Sequence, residues 1–292
     1  MKEGLTNKKI NLHITENCNY KCKYCFSYKC GDGIQLGLGD WKTIVDNCID
    51  VFRPMGFNIA GGEPLLYKQL PELIRYIKSK GLYCSIITNG SLLTWNWIQE
   101  NAEYLDCIGI SVDSFDRKLL FALGATHNFS YLSFERLKEI CDCIKAFNPN
   151  CQIKINTVVC KLNKMEVLLD QLNSIGYEIR WKILKMKESN EHGYSNEYLS
   201  ITDEEYRSFF NRNTEGDICW INDCCCKHKN AYLNIIAEDT MKNSYLIIMP
   251  HGYMISNSNK ECEKVANCLD IDDMKSKIKL LNFNSDLYES RY

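Results

Sequence analysis

The sequence has no run of about twenty consecutive apolar residues, which excludes an ordinary membrane-spanning helix. Proline is scarce, at five in 292 residues, and no proline- or serine-rich stretch, internal repeat or low-complexity segment divides the chain. Neither sign of charge dominates. The 35 Lys and Arg against 37 Asp and Glu leave a formal net charge of -2, with no polybasic signature for nucleic acid or an anionic membrane. Any nucleotide site must therefore be a local basic pocket. The opening MKEGLTNKKI runs directly into a strand-like segment with no apolar core of a secretion signal, so a cytoplasmic location is expected. Cysteine is what the chain has in excess. Seventeen of them, an odd count in a long chain with no leader, read as reduced thiols and not as a disulfide scaffold.

Short β-rich runs alternate with helical patterns. KINLHIT (9–15), GFNIAGG (56–62), YCSIITNG (83–90), CIGISVDS (107–114), QIKINTVV (152–159) and EIRWKIL (178–184) read as strands. Between them PELIRYIKSKG, SYLSFERLKEICDCIKAF and KMEVLLDQLNSIG space apolar residues for helices. Strands joined through helices need right-handed crossovers and a parallel sheet. The fold class expected is α/β, a partial (β/α)6 TIM-like barrel over residues 1–200, with functional groups at the C-terminal strand ends. After residue 200, ITDEEYRSFFNRN reads as a capped helix, and YLNIIAE, SYLIIMP and YMISNS read as strands. Residues 201–292 are expected to form an extension packed on the barrel and helping to close the substrate site, with the final LNFNSDLYESRY as a candidate cover.

Just past the first strand, TENCNYKCKYCF spaces Cys18, Cys22 and Cys25 as CxxxCxxC, where one loop can wrap three thiolates around a metal centre. Thiolate sulfur suits iron-sulfur iron, and a cube held by three cysteines leaves one iron open. A zinc knuckle or incidental thiols are the competing readings. GGEP, Gly61 to Pro64, ends the second strand, where glycines permit close backbone approach and Glu63 can accept a hydrogen bond from a ligand ammonium. Further strand ends carry Asn89 and Ser91 in TNGS, and Ser111, Asp113 and Ser114 in SVDS, although such pairs are also common turn chemistry.

In this spacing, in Tyr24 before the third cysteine and in GGEP, the sequence resembles the radical S-adenosylmethionine (SAM) superfamily. The resemblance implies two cofactors, a 4Fe-4S cluster on Cys18, Cys22 and Cys25 and SAM chelated to its open iron and cleaved to a 5'-deoxyadenosyl radical. It further implies a SAM side built from Tyr24, Phe26, Gly61, Gly62, Glu63, Asn89, Ser91, Ser111 and Asp113.

Read in order, NLHITENCNYKCKYCF, NIAGGEPLL, TNGSLL, EYLDCIGISVDSFD, KINTVVCKLN, IRWKIL and KNSYLI resemble the viperin family, prokaryotic type, over about residues 11–250. That resemblance implies abstraction of the ribose 4' hydrogen of a nucleoside triphosphate (CTP first, then UTP or GTP). The product is a 3'-deoxy-3',4'-didehydro nucleotide that terminates viral RNA chains, an antiviral activity, with a flavodoxin or ferredoxin as electron donor. Independently, alternation puts Lys154 and Asn156 on one strand face and Arg180 and Lys182 on one face of the next. Cations inside a barrel need a partner such as a polyphosphate; the alternatives are that they face water or pair with Glu63 or Asp113. By resemblance these four contact the triphosphate, Asn11, His13 and Asn58 contact the nucleotide, and Tyr245 is the catalytic tyrosine beside the ribose. A tyrosine in a strand is otherwise commonly core, and an inward histidine commonly a satisfied core residue.

The chain also departs from the family. Gly56 and Ala60 stand where animal viperins have a lysine and a serine, and Ala125 falls near a family arginine that contacts the SAM carboxylate. Residues 217–240 form a longer segment containing Cys224, Cys225 and Cys226, and the animal amphipathic N-terminal helix has no counterpart. Two other functions compete. A peptide-modifying radical SAM maturase would use the same cluster and could use Cys219, Cys224 to Cys226, Cys262 and Cys268, although their spacing matches no familiar double cluster. A cysteine-rich metal-binding module without turnover is the other.

Overall fold

Inward polar and outward apolar residues alternate along the central strands, which fixes each strand's register against its helix layer. The computed structural model describes residues 5–26, 35–188, 196–214, 227–230 (backbone alone), 232–240, 243–256 and 263–289. Its central strands are β1 (Lys9–His13), β2 (Gly56–Ala60), β3 (Tyr83–Thr88), β4 (Cys107–Ser111), β5 (Gln152–Val159) and β6 (Ile179–Lys185). Each pairs in parallel with the next. The crossovers contain α1 (Leu38–Phe52), α2 (Leu70–Ser79), α3 (Trp95–Asn101), α4 (Arg117–Leu123), α5 (Phe134–Phe147) and α6 (Leu169–Asn173). Beneath them Ile10, Leu12, Phe57, Ile153 and Trp181 are fully buried. Each such side chain contributes roughly 1.5–3 kcal/mol by leaving water.

Helix α6 is shorter than the KMEVLLDQLNSIG pattern predicts. Asn163 turns the chain first: its amide nitrogen donates to the carbonyls of Asp113 (3.0 Å) and Val158 (2.9 Å). Leu168 then donates its N–H to the Asn213 side chain at 2.7 Å, so the first half of the pattern is held as a loop. The capped helix after residue 200 is present as α7 (Asp203–Arg212), with Thr202 and Glu205 forming a reciprocal capping box.

The late strands do not lie on the outside of the barrel. They are β7 (Lys227–Asn230), β8 (Leu233–Glu238), β9 (Leu246–Ile248), β10 (Tyr253–Ser256) and β11 (Glu263–Asn267), followed by α8 (Ile271–Lys277) and α9 (Ser285–Glu289). All join one sheet, in the order β11-β10-β9-β1-β2-β3-β4-β5-β6-β8-β7. Thus β8 extends the β6 side and β9 the β1 side, both in parallel. The result is a partial β/α barrel whose C-terminal extension supplies both of its lips. The end of the chain packs at the barrel base: the N–H of Lys9 donates to the Tyr288 hydroxyl at 2.8 Å, and Lys8 pairs with Glu289. Among the described residues no helix is long and apolar enough to cross a membrane.

Candidate active site

At the C-terminal strand ends a cavity of about 280 Å³ is lined by Cys18, Cys22, Cys25, Tyr24, Phe26, Gly61, Gly62, Asn89, Ser111 and Asp113, among others. All three cysteines are half-buried. Their loop is pinned on two sides. Gly62 donates its N–H to Thr15 and Glu63 to Asn17, both at 2.7 Å, while Lys21 and Lys23 donate to the carbonyls of Gly124 (3.0 Å) and Leu123 (2.9 Å) at the end of α4. A Cβ on Gly62 would lie 2.3 Å from the Asn17 oxygen, so the GGEP glycines serve first to admit the cysteine loop itself.

Side chains complete this frame. Asn89 accepts from the Ser91 N–H at 2.9 Å and donates to Asn19 at 2.8 Å; Asn19 in turn donates to the Ser91 hydroxyl at 2.8 Å. Asn19, which sequence reading missed, thereby ties the loop to the end of β3. The buried Tyr24 hydroxyl donates to Asp113, whose other oxygen accepts the Val158 N–H at 2.7 Å. Burial raises the Asp113 carboxyl to about 6, with Tyr24 and the Val158 amide opposing. Glu63 is fully buried and accepts from Thr88 (2.7 Å), Asn89 (2.8 Å) and Leu65 (3.1 Å). Its carboxylate organises the GGEP turn and does not line the cavity. Burial raises the Cys18 and Cys22 thiols, so bound iron must supply the positive charge that makes them thiolates. Among the described residues no three His, Cys, Asp or Glu side chains converge on a single ion. Three separated soft thiols around one cavity, beside glycines and strand-end donors, fit a four-iron cube with SAM against it.

A second cavity, about 140 Å³, continues inside the barrel and shares His13, Phe26, Ala60, Ile87 and Leu184 with the first. Lys154, Asn156, Arg180 and Lys182 all line it, with Asn11, Asn58 and Tyr245. Asn58 donates to the Asn11 side-chain oxygen (2.7 Å) and accepts from Ser85 (2.9 Å), while Asn11 donates to the Leu246 carbonyl (3.1 Å). This ladder joins β2, β3 and β9 to β1. Burial, then the Lys182 charge, depresses the Lys154 ammonium to about 7. Burial also depresses the His13 imidazole to about 4, so it is neutral near pH 7.

Where the two lips meet, Lys182 is 3% exposed and forms an ion pair with Glu238, which is 0% exposed. Lys182 donates to the Tyr245 hydroxyl at 2.6 Å, and that hydroxyl donates to Glu238 at 2.7 and 2.8 Å. The carboxylate that pairs with Lys182 is thus Glu238, and not Glu63 or Asp113 as in the alternative reading of these cations. Glu238 was missed in the sequence; an acid closing the apolar strand YLNIIAE was the available signal. Ala125 lines the cluster cavity with only a methyl group, and Ala60 sits at the shared wall. Cys219, Cys224, Cys225, Cys226 and Cys262 lie outside the described residues, and Cys268 is buried in the core.

The chain matches the Radical SAM superfamily model over residues 12–167. It is 34% identical to an S-adenosylmethionine-dependent nucleotide dehydratase of Selenomonas ruminantium, covering 97% of this chain and 98% of that one. A protein of the same description from Fibrobacter sp. (strain UWH6) is 31% identical, over 97% and 87%. Among solved structures, Streptococcus suis SuiB bound to S-adenosylmethionine aligns with a TM-score of 0.63 at 17% identity over 86% of this chain and 60% of that one. Native anSMEcpe with bound AdoMet also gives 0.63, at 15% identity over 90% and 78%. At these identities the structural likeness establishes the fold alone. The chain is a radical SAM enzyme, with SAM and a 4Fe-4S cluster as its cofactors, and belongs to the S-adenosylmethionine-dependent nucleotide dehydratases, the prokaryotic viperin family.

Proposed function

We propose that this enzyme dehydrates the ribose of a nucleoside triphosphate, CTP before UTP or GTP, to its 3'-deoxy-3',4'-didehydro form, an antiviral chain terminator. The observation that carries this reading is the cation-lined cavity meeting the cysteine-lined one at His13, Phe26, Ala60, Ile87 and Leu184. When bound, the cluster and SAM supply the 5'-deoxyadenosyl radical that takes the 4' hydrogen atom. A ribose at the shared wall lies within reach of that chemistry and leaves its phosphates among Lys154, Arg180 and Lys182, with Asn156 as a further polar contact. Arginine offers a planar two-pronged donor there, whereas the lysines act as point charges.

The 3' hydroxyl then leaves as water, taking one proton, and one electron completes the C3'–C4' double bond. Tyr245 passes that electron on as its phenolic proton shifts to Glu238, and Lys182 holds the phenol oxygen throughout. A flavodoxin- or ferredoxin-type donor restores the tyrosine with one electron as Glu238 returns the phenolic proton, and the proton that leaves with the 3' hydroxyl comes from solvent. The neutral His13 and the Phe26 ring wall the reacting sugar from water. We place the enzyme in the cytoplasm, where nucleoside triphosphates and such donors occur together.

The test is anaerobic incubation of the reconstituted, reduced enzyme with CTP, UTP, GTP and ATP separately. Stoichiometric 5'-deoxyadenosine and a product lighter than substrate by one water are expected. Slow uncoupled SAM cleavage with all four would end this reading.

A further inference from the structure

We propose that Lys9 is a further cation of the nucleotide site and binds the terminal phosphate, so that it sets the preference for a triphosphate over a diphosphate. The inference rests on the nucleotide reading above. The second cavity has two ends. One is the wall shared with the cysteine-lined cavity, and the other is formed by Lys9, Tyr83, Cys107 and Gln152, the first residues of β1, β3, β4 and β5. A nucleotide with its ribose at the shared wall points its phosphates down the strands toward that second end. Lys9 lies four residues below His13 on the same inward face, about 13 Å along the strand.

Three features aim this lysine inward. Its ammonium sits 3.6 Å from the Tyr83 ring centroid, which orients the stem along the cavity wall. Its strand partner Gly56 has no side chain and no room for one, because a Cβ there would lie 2.1 Å from the Tyr83 carbonyl oxygen. A cation at this level of the wall therefore comes from β1 and not from β2. The backbone of Lys9 is held from below by the Tyr288 hydroxyl at 2.8 Å, next to the Lys8–Glu289 pair, which fixes the strand position from which the side chain projects. The electrostatics agree. Burial is the main cause that depresses Lys9 to about 8; Cys107 and Asp106 oppose it and Arg180 across the cavity adds to it, and a bound polyanion would offset both the burial and the like charge.

Equilibrium binding of CTP, CDP and CMP to the cluster-loaded, SAM-bound enzyme tests this, with Lys9→Ala and Lys9→Met as variants. Methionine keeps an apolar stem against Tyr83 and removes only the charge, so it reports even where alanine disturbs the strand. The expected result is a CTP dissociation constant raised roughly ten- to hundredfold in both variants, with CDP and CMP nearly unchanged. Lys9→Arg should retain the preference for CTP over CDP. CTP binding as tight in Lys9→Met as in wild type, or equal losses for CTP and CDP, would overturn the role of Lys9 alone. A wild type that binds none of the three, and none of UTP, GTP and ATP either, would overturn the nucleotide reading and this inference with it.

Discussion

Replacing Glu238 with glutamine probes the join between the two lips of the barrel. The substitution keeps the shape and an oxygen for the Tyr245 hydroxyl but removes the charge opposite Lys182. Both members of the pair are essentially inaccessible to water, and Lys154 and Arg180 line the same cavity. Removing one partner of such a pair costs about 3–5 kcal/mol, because the remaining ion is left uncompensated in a poorly solvated place. At roughly 2–4 °C per kcal/mol for a chain of this size class, the ligand-free enzyme should melt about 6–20 °C lower. A nucleotide polyphosphate brings substitute negative charge, so the melting shift it produces should be larger in Glu238→Gln than in wild type. Glu139→Gln is the control: its partner Arg136 is 44% exposed and Glu139 itself 65%, so no measurable shift is expected. Differential scanning fluorimetry under anaerobic conditions reads both. A Glu238→Gln enzyme melting within about 2 °C of wild type would show that Lys182 does not depend on this carboxylate.

Cys22→Ala should abolish 5'-deoxyadenosine formation and lower bound iron; a four-iron stoichiometry in that variant would remove Cys22 as a ligand. Gly62→Ala forces a Cβ within 2.3 Å of the Asn17 oxygen, so iron incorporation should fall while far-ultraviolet circular dichroism stays close to wild type. Arg180→Ala should weaken nucleotide binding and leave the cluster's visible absorption intact, and unchanged affinity would exclude it from the site. Lys154 and Lys9 have free-state values near 7 and 8, and only their protonated forms attract a polyanion, so nucleotide affinity should fall from pH 7 to 9 with net proton uptake on binding at pH 8. Calorimetry in buffers of different ionisation enthalpy measures that uptake, and zero uptake at pH 8 would contradict it.

The six central strands and the inward face of Lys154, Asn156, Arg180 and Lys182 were legible because strand alternation is a local property of sequence. The cysteine spacing was legible for a similar reason, since one short loop supplies all three thiols. What escaped was set by contacts distant along the chain. Asn19 matters through Asn89, Glu238 through Lys182, and α6 is shortened by Asn163 and Asn213. Lys9 was within reach, because it shares the face of Asn11 and His13. The GGEP motif does not announce the contacts that Glu63 makes within the protein, where it accepts from Thr88, Asn89 and Leu65.

The two-lipped join has a consequence for how the chain folds. Strand β9 lies beside β1, the first strand made, and β8 lies beside β6. Closing so long a loop carries an entropic penalty that local helix and strand formation does not. During synthesis the six-strand sheet can assemble early, but its cation-lined interior stays open on one side until residues near 248 emerge. The last helix then packs against Lys8 and Lys9, at the start of the first strand. Completion of the second cavity thus depends on the C-terminal strands, and a chain truncated before β8 would keep the three cysteines while lacking Glu238 and Tyr245.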